Sequence, residues 1–179
     1  MYTVVHKLLK KIIARSEKLN KMRRNYRQVI IPAFIKMFSE DLKLGQKYEK
    51  IAIELLGAGE TEKCPENVAF SDWDFKHNNV TYEVKSDRRA AATGNLVFEY
   101  EHTNKPSGIS ITKADVWMYF VIKSDEAYVC YKIPIGEIHR AIHTGKYKKS
   151  SCDNGNSKFY LIPASVFNAY KFGVQVSFR

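Results

Sequence analysis

Cysteine is scarce. Three occur in 179 residues, Cys64, Cys130 and Cys152, an odd number with no close pair, which argues against a disulfide framework and against a C-x-x-C metal knuckle. A reducing compartment is expected. Long apolar runs are missing too: the opening residues interleave lysines with Val4, Val5, Leu8, Leu9, Ile12 and Ile13, too broken for a signal-peptide core or a membrane span. The expected location is the cytoplasm, or the nucleus of a eukaryotic host cell, and the chain is not expected to be secreted. No repeat and no low-complexity segment interrupts it, and its length suits one buried core.

Acid is in short supply. Nineteen Asp and Glu stand against 29 Lys and Arg, a net charge of +10 with a pI near 9.4, and such a field favours polyanionic partners such as nucleic acid or an anionic membrane surface. The excess is concentrated from Lys7 to Arg27, where Glu17 is the only acid, and recurs in Lys146, Lys148 and Lys149.

What is present reads first as helix. Val5, Leu8, Leu9, Ile12 and Ile13 recur at helical spacing with lysines on the remaining face, a basic amphipathic pattern. Its apolar stripe is expected to pack on the core or on a second subunit, with a membrane surface as the alternative. Tyr26, Val29, Ile30, Ala33, Phe34, Met37 and Phe38 continue the pattern, which Pro32, lacking an amide donor, should break or kink. A further helix is expected from Gln46 to Leu56, striped by Tyr48, Ile51, Ala52 and Leu55, flanked by Glu49 and stopped by Gly57 and Gly59. Residues 1–44 thus form a basic helical arm, and residues 45–179 the core.

After a polar loop from Gly59 to Asn67 the pattern becomes extended. Ser71 to His77 and Val80 to Ser86 alternate around Asn78-Asn79, a pair that tolerates positive φ and suits a tight hairpin. Leu96 to His102 gives a third strand, Pro106-Ser107-Gly108 opens a loop or short helix through Lys113, and Val116 to Lys123 pairs with Ala127 to Ile133 around Ser124-Asp125-Glu126. A helix from Ile135 to His143 and a strand or helix near Phe159 to Tyr170 complete the chain.

Chemistry concentrates on the hairpin. With Asn78 and Asn79 as turn residues, Asp74 faces Glu83, and opposed residues on one sheet face stand within about 5 Å. Two carboxylates so placed repel unless a cation lies between them. Lys85, two residues beyond Glu83, projects to the same face. Paired carboxylates suit Mg²⁺, a hard cation that takes oxygen ligands, and an amine beside them can hold phosphate charge or orient water. An E-x-K alternation alone is an ordinary solvated strand face. Here Tyr82 and Val84 take the opposite face as core residues, and the strand is interior by order, where charge is costly unless used.

Trp73-Asp74-Phe75, the hairpin, and Tyr82-Glu83-Val84-Lys85 together resemble the PD-(D/E)xK nuclease superfamily. The longer string Glu-Val-Lys-Ser-Asp, Thr-Gly-Asn-Leu-Val-Phe-Glu, Pro-Ser-Gly-Ile and Thr-Lys-Ala-Asp-Val-Trp is similar to small phage and viral members of that group. The likeness covers roughly Gly45 to Ile133 and is strongest between Asp72 and Asp115. It implies an α/β fold with the αβββαβ restriction-endonuclease-like core, a mixed central sheet flanked by helices, to which an N-terminal helical segment is added.

It further implies a metal-dependent deoxyribonuclease, using Mg²⁺ with Mn²⁺ able to substitute, in which Asp74 and Glu83 bind the metal and Lys85 is the catalytic lysine. The Val84 carbonyl matches a further ligand, and Glu49 matches the accessory acid many members carry on the preceding helix. Glu99 and Glu101, expected on one face of the third strand, are candidates for an added ligand or a substrate contact. Two features depart from the pattern: Trp73 stands where proline is common, and Asp72 is an alternative to Asp74.

Other candidates carry less. His139 and His143 have helical i,i+4 spacing but no acid between them in the zinc-protease pattern. Ser107-Gly108 lacks the strand–turn–helix setting of a serine nucleophile. Thr112 and Lys113 are candidates for phosphate contact. Cutting both strands of a duplex or a branched junction calls for two active sites, which makes a homodimer through the N-terminal helices a candidate assembly. The competing functions are an RNA endonuclease of the same fold, a non-catalytic nucleic-acid-binding module, and a membrane-surface or scaffold protein built on the first helix.

Overall fold

A computed structural model describes residues 18, 21–22, 31–58, 61–63 and 72–175, with side chains from Ser39 onward within the first helix. The amphipathic stripe of Val5 to Ile13, the stretch from Tyr26 to Ile30, Gly59, Cys64 and Ser71 lie outside those residues. The chain divides into two compact units, residues 1–44 and 45–179.

Helix α1 runs from Ile31 to Leu55, so the helical stretch through Phe38 and the further helix expected from Gln46 are one element. The break or kink expected at Pro32 would act on the residues immediately before Ile31, which lie outside those described, and the described helix continues through Gly45. Its end is as expected. Gly57 adopts φ +62°, and the Gly57 and Ala58 amides donate to the Glu54 and Ile53 carbonyls at 3.0 and 3.1 Å, the paired bonds of a Schellman cap. Among the described residues no helix is long and apolar enough to cross a membrane.

The second unit is mixed α/β. Its larger sheet has six strands in the order β1 (Glu62–Lys63), β2 (Phe75–His77), β3 (Val80–Asp87), β6 (Val116–Ser124), β7 (Ala127–Pro134) and β10 (Lys171–Gln175). It is a mixed sheet, because β3 and β6 run parallel while the other neighbours are antiparallel. The β2–β3 turn is the expected one, with Asn78 and Asn79 at φ +50° and +61°, the geometry of a two-residue hairpin. Strand β2 begins at Phe75 rather than Ser71. A short helix α2 (Arg89–Thr93) follows β3, and α3 (Ile135–Thr144) follows β7.

The third expected strand leaves this sheet. Strand β4 (Asn95–His102) lies in a second, four-stranded sheet of order β5 (Lys105–Pro106), β4, β9 (Ser157–Pro163), β8 (Lys148–Cys152). Between β5 and β6 the chain makes a single 3-10 turn, Gly108–Ser110. Gly108 is required there: its φ is +50°, and a Cβ would meet the Glu99 carbonyl oxygen at 2.5 Å. Residues near Phe159 to Tyr170 supply both alternatives, β9 and then a 3-10 segment, Ala164–Tyr170.

The core lies on one face of the larger sheet. Trp117, Tyr119, Tyr131 and Ile133 of β6 and β7 meet Leu96, Phe98 and Ile162 of the second sheet, Ile138 and Ala141 of α3, and Phe167. Phe98 stacks on Trp117 with ring centroids 5.5 Å apart. Alternation turns Met118 and Phe120 to the other face, where the Tyr48 ring of α1 lies 4.9 Å from Phe120 and 5.8 Å from Tyr128. The sheet that carries the hairpin is thus fixed from both sides.

Candidate active site

Strand β3 supplies two of the three hairpin residues. It alternates Tyr82, buried and stacked on Phe75 at 5.0 Å, with Glu83 and Lys85 on the opposite face. The Lys85 ammonium donates to the Glu83 carboxylate, the amine being 41% and the acid 15% exposed. Across the parallel pairing Glu83 stands opposite Trp117, and Lys85 opposite Tyr119. The Lys85 nitrogen lies 5.5 Å from the Trp117 ring centroid, so a buried indole forms the floor beneath the amine.

Asp74 comes from the other arm of the hairpin. Phe75 pairs with Tyr82 and His77 with Val80, which sets Asp74 level with Glu83, but Asp74 itself has left the ladder. Its backbone amide donates to the Tyr82 carbonyl at 2.8 Å, and its carboxylate accepts the Val84 amide at 2.6 Å. The side chain takes the bond that a continuing strand would make, and this is why β2 starts at Phe75.

Both acids are held above the ordinary carboxylate range. Burial is the leading cause for Asp74, opposed by the Val84 amide and the Lys85 charge. Burial also leads for Glu83; Lys85 opposes it, while the charges of Asp74 and Glu49 add to it. The charges of Lys85, Asp74 and Glu49 therefore all reach Glu83, and that of Lys85 reaches Asp74 as well. Among the described residues no three Asp, Glu, His or Cys side chains stand close enough together to hold a metal ion by themselves. Glu49 acts here through its charge.

The donor set suits a hard cation. Two carboxylates offer oxygen alone, with the Val84 carbonyl as the candidate third ligand, and a divalent ion would offset the burial that raises both acids and the repulsion that adds to it at Glu83.

The remaining candidates have other partners. Asp72 binds Lys113, nitrogen to oxygen 2.8 Å, and accepts the Lys113 amide on its carbonyl at 3.2 Å; Asp72 and Lys113 thus fasten the loop before β6. Asp115 accepts the Thr81 amide and hydroxyl, both at 2.8 Å. Glu99 and Glu101 do not share a face as expected. A bulge shifts the register from Glu99 opposite Phe159 to Glu101 opposite Lys158; Glu99 takes the Ser107 hydroxyl at 2.6 Å and Glu101 pairs with Lys158. His139 and His143 are exposed on α3.

Sequence reasoning missed Asp87 and Tyr119 beside the site. Asp87 accepts the Arg89 and Ala90 amides at 2.7 and 3.0 Å and the Tyr119 hydroxyl at 2.8 Å; that hydroxyl in turn accepts the Val97 amide at 2.9 Å. Continued alternation beyond Lys85 would have placed Asp87 on this face. Comparison with protein-family models, curated proteins and solved structures found no match.

Proposed function

We propose that this chain is a Mg²⁺-dependent endonuclease that hydrolyses DNA phosphodiester bonds. The observation that carries the reading is one hairpin holding two half-buried carboxylates, both above their ordinary pKa, beside a single amine. Buried like charges are costly and persist where they serve a site. The basic charge of +10 supplies attraction for the polyanion.

In this reading Asp74 and Glu83, with the Val84 carbonyl, hold Mg²⁺, Mn²⁺ being able to substitute. Bound there, the cation supplies a Lewis acid and a water made nucleophilic near neutral pH. Lys85 sits on a flexible stem and is partly exposed. It turns from Glu83 to the incoming phosphate and stabilises charge growing on its oxygens. Glu49 reinforces the negative field. Trp117 keeps the Lys85 stem over a dry floor.

The same proposal places the chain in the PD-(D/E)xK superfamily. Its support is the order α1, β2–β3 hairpin, β4, 3-10 turn, β6, with β3 and β6 side by side. The position of β4 in a second sheet is a departure a member would have to accommodate. A homodimer, giving one site per strand of a duplex, belongs to the same reading, and sedimentation at working concentration tests it.

The Lys85–Glu83 pair favours a second reading, because an amine that neutralises one acid internally also suits a non-catalytic DNA-binding module. A cleavage assay with Mg²⁺ or Mn²⁺ on linear, nicked, branched and single-stranded DNA, with matched RNA beside it, separates the two. Lys85→Ala should lower cleavage by about 10²–10³-fold, the usual loss for one preorganised donor, and leave the fold and most DNA binding in place. Equal cleavage by that variant under saturating metal would refute the assignment.

A further inference from the structure

The second sheet carries a feature that the hairpin chemistry does not use. Tyr100 of β4 and Tyr160 of β9 lie with ring centroids 4.7 Å apart, inclined at 41°. The Lys149 ammonium of β8 stands 5.7 and 5.3 Å from the two rings. Both tyrosines are half-buried and the lysine is exposed. Tyr100 is the residue that the β4 bulge inserts, between Glu99 opposite Phe159 and Glu101 opposite Lys158. Bulges re-aim side chains, and this one leaves Tyr100 unpaired in the ladder and against Tyr160.

Both tyrosines pack against the same core as the hairpin site. Tyr160 is opposite Phe98, Phe98 stacks on Trp117, and Trp117 underlies Lys85. Lys146, Lys148 and Lys149 are exposed along the same edge.

We propose that Tyr100, Tyr160 and Lys149 form a stacking platform for an unpaired base of a DNA strand, the strand's phosphates lying along the Lys146–Lys149 edge. Stacking of a base on an aromatic ring is stronger than the hold of an exposed lysine on it, so the base displaces the ammonium, which moves to a flanking phosphate. A base inside a duplex has both faces covered by its neighbours, so the platform selects single strands, flaps and frayed ends. The proposal deepens the nuclease reading and rests on it only for the purpose of the capture, since binding is measurable without cleavage.

The test is equilibrium binding of the full chain, in chelator, to a fluorescent single strand and to a blunt duplex of equal length. Tyr100→Ala and Tyr160→Ala should each weaken single-strand binding by about tenfold, with duplex binding changed less than about twofold; Tyr→Phe at either position, which keeps the ring face, should restore wild-type binding. A strand carrying 2-aminopurine, titrated with the unaltered protein, should lose emission as its base stacks. Unchanged emission at saturation, or equal loss of single-strand and duplex binding in folded alanine variants, overturns the platform. The outcomes separate from the parent reading: tyrosine-dependent binding without cleavage in any metal leaves the platform standing and removes the nuclease, while cleavage with tyrosine-independent binding does the reverse.

Discussion

The Asp74 carboxylate accepts the backbone amide of Val84 at 2.6 Å, so an acid on one arm of the hairpin is tied to the residue between Glu83 and Lys85 on the other. That bond holds Asp74 beside Glu83 despite their repulsion. It also uses only one of the carboxylate's oxygens, and the same group can accept further bonds.

Both acids carry a raised pKa, which fixes the sign of a stability effect. A folded state that binds protons more tightly than the unfolded chain loses stability as pH rises from the ordinary carboxylate range through the raised values, and the penalty is complete above them. Asp74→Asn keeps an oxygen for the Val84 amide and discards the charge. It should be more stable than the wild type near neutral pH by roughly 0.5–2 kcal/mol, as relief of a strained active site commonly gives. Melting curves across pH check this, and the difference should close as pH falls toward about 2, well below the ordinary Asp and Glu values of about 3.9 and 4.3, where both carboxylates are protonated even when unfolded. A variant less stable at neutral pH contradicts the burial argument.

Added Mg²⁺ should act on the same groups. A cation bound only by the folded chain stabilises it by about 2.7 kcal/mol at a hundredfold excess over its Kd, so the wild-type melting temperature should climb with Mg²⁺ and return on chelation. Asp74→Asn and Glu83→Gln should show little of that rise. An equal rise in all three places the cation elsewhere.

Much of this hairpin was legible in the sequence. The Asn78-Asn79 pair set the hairpin register, and period-two alternation put Glu83 and Lys85 on one face, because both signals are local. What was not legible depended on long-range pairing. Nothing in Leu96 to His102 says that the strand leaves the hairpin's sheet to pair with Ser157–Pro163, and the strand Lys148–Cys152 carries too few apolar residues to announce itself. Asp87 was missed because its partner, Tyr119, is 32 residues away.

That partner makes the next expectation. Burial, then the Asp87 charge, holds the Tyr119 hydroxyl well above the usual tyrosine range, so it stays a donor to Asp87 while accepting the Val97 amide. Tyr119→Phe removes both bonds and should cost about 1–3 kcal/mol, the penalty of stranding buried polar groups. Asp87→Ala also frees the first amides of α2 and should cost at least as much. Chemical denaturation measures both, and a loss below about 0.5 kcal/mol for either would show that the linkage carries little of the fold's stability.

Trp117 joins the core to the site, and two substitutions separate its roles. Its ring is 1% exposed, stacks on Phe98 and underlies Lys85, yet its buried indole nitrogen has no hydrogen-bond partner among the described residues. Trp117→Ala empties the floor and should cost about 3–5 kcal/mol. Trp117→Phe keeps a ring beneath the amine and removes the stranded N–H, so the lost volume is offset by relief of an unsatisfied donor, and the net change should stay within about 1.5 kcal/mol. If the indole acts only as a floor, Trp117→Phe should also keep most of the cleavage activity. A stable Trp117→Phe protein that has lost cleavage as fully as Lys85→Ala would instead mean that the N–H itself reaches the reacting groups once substrate is bound.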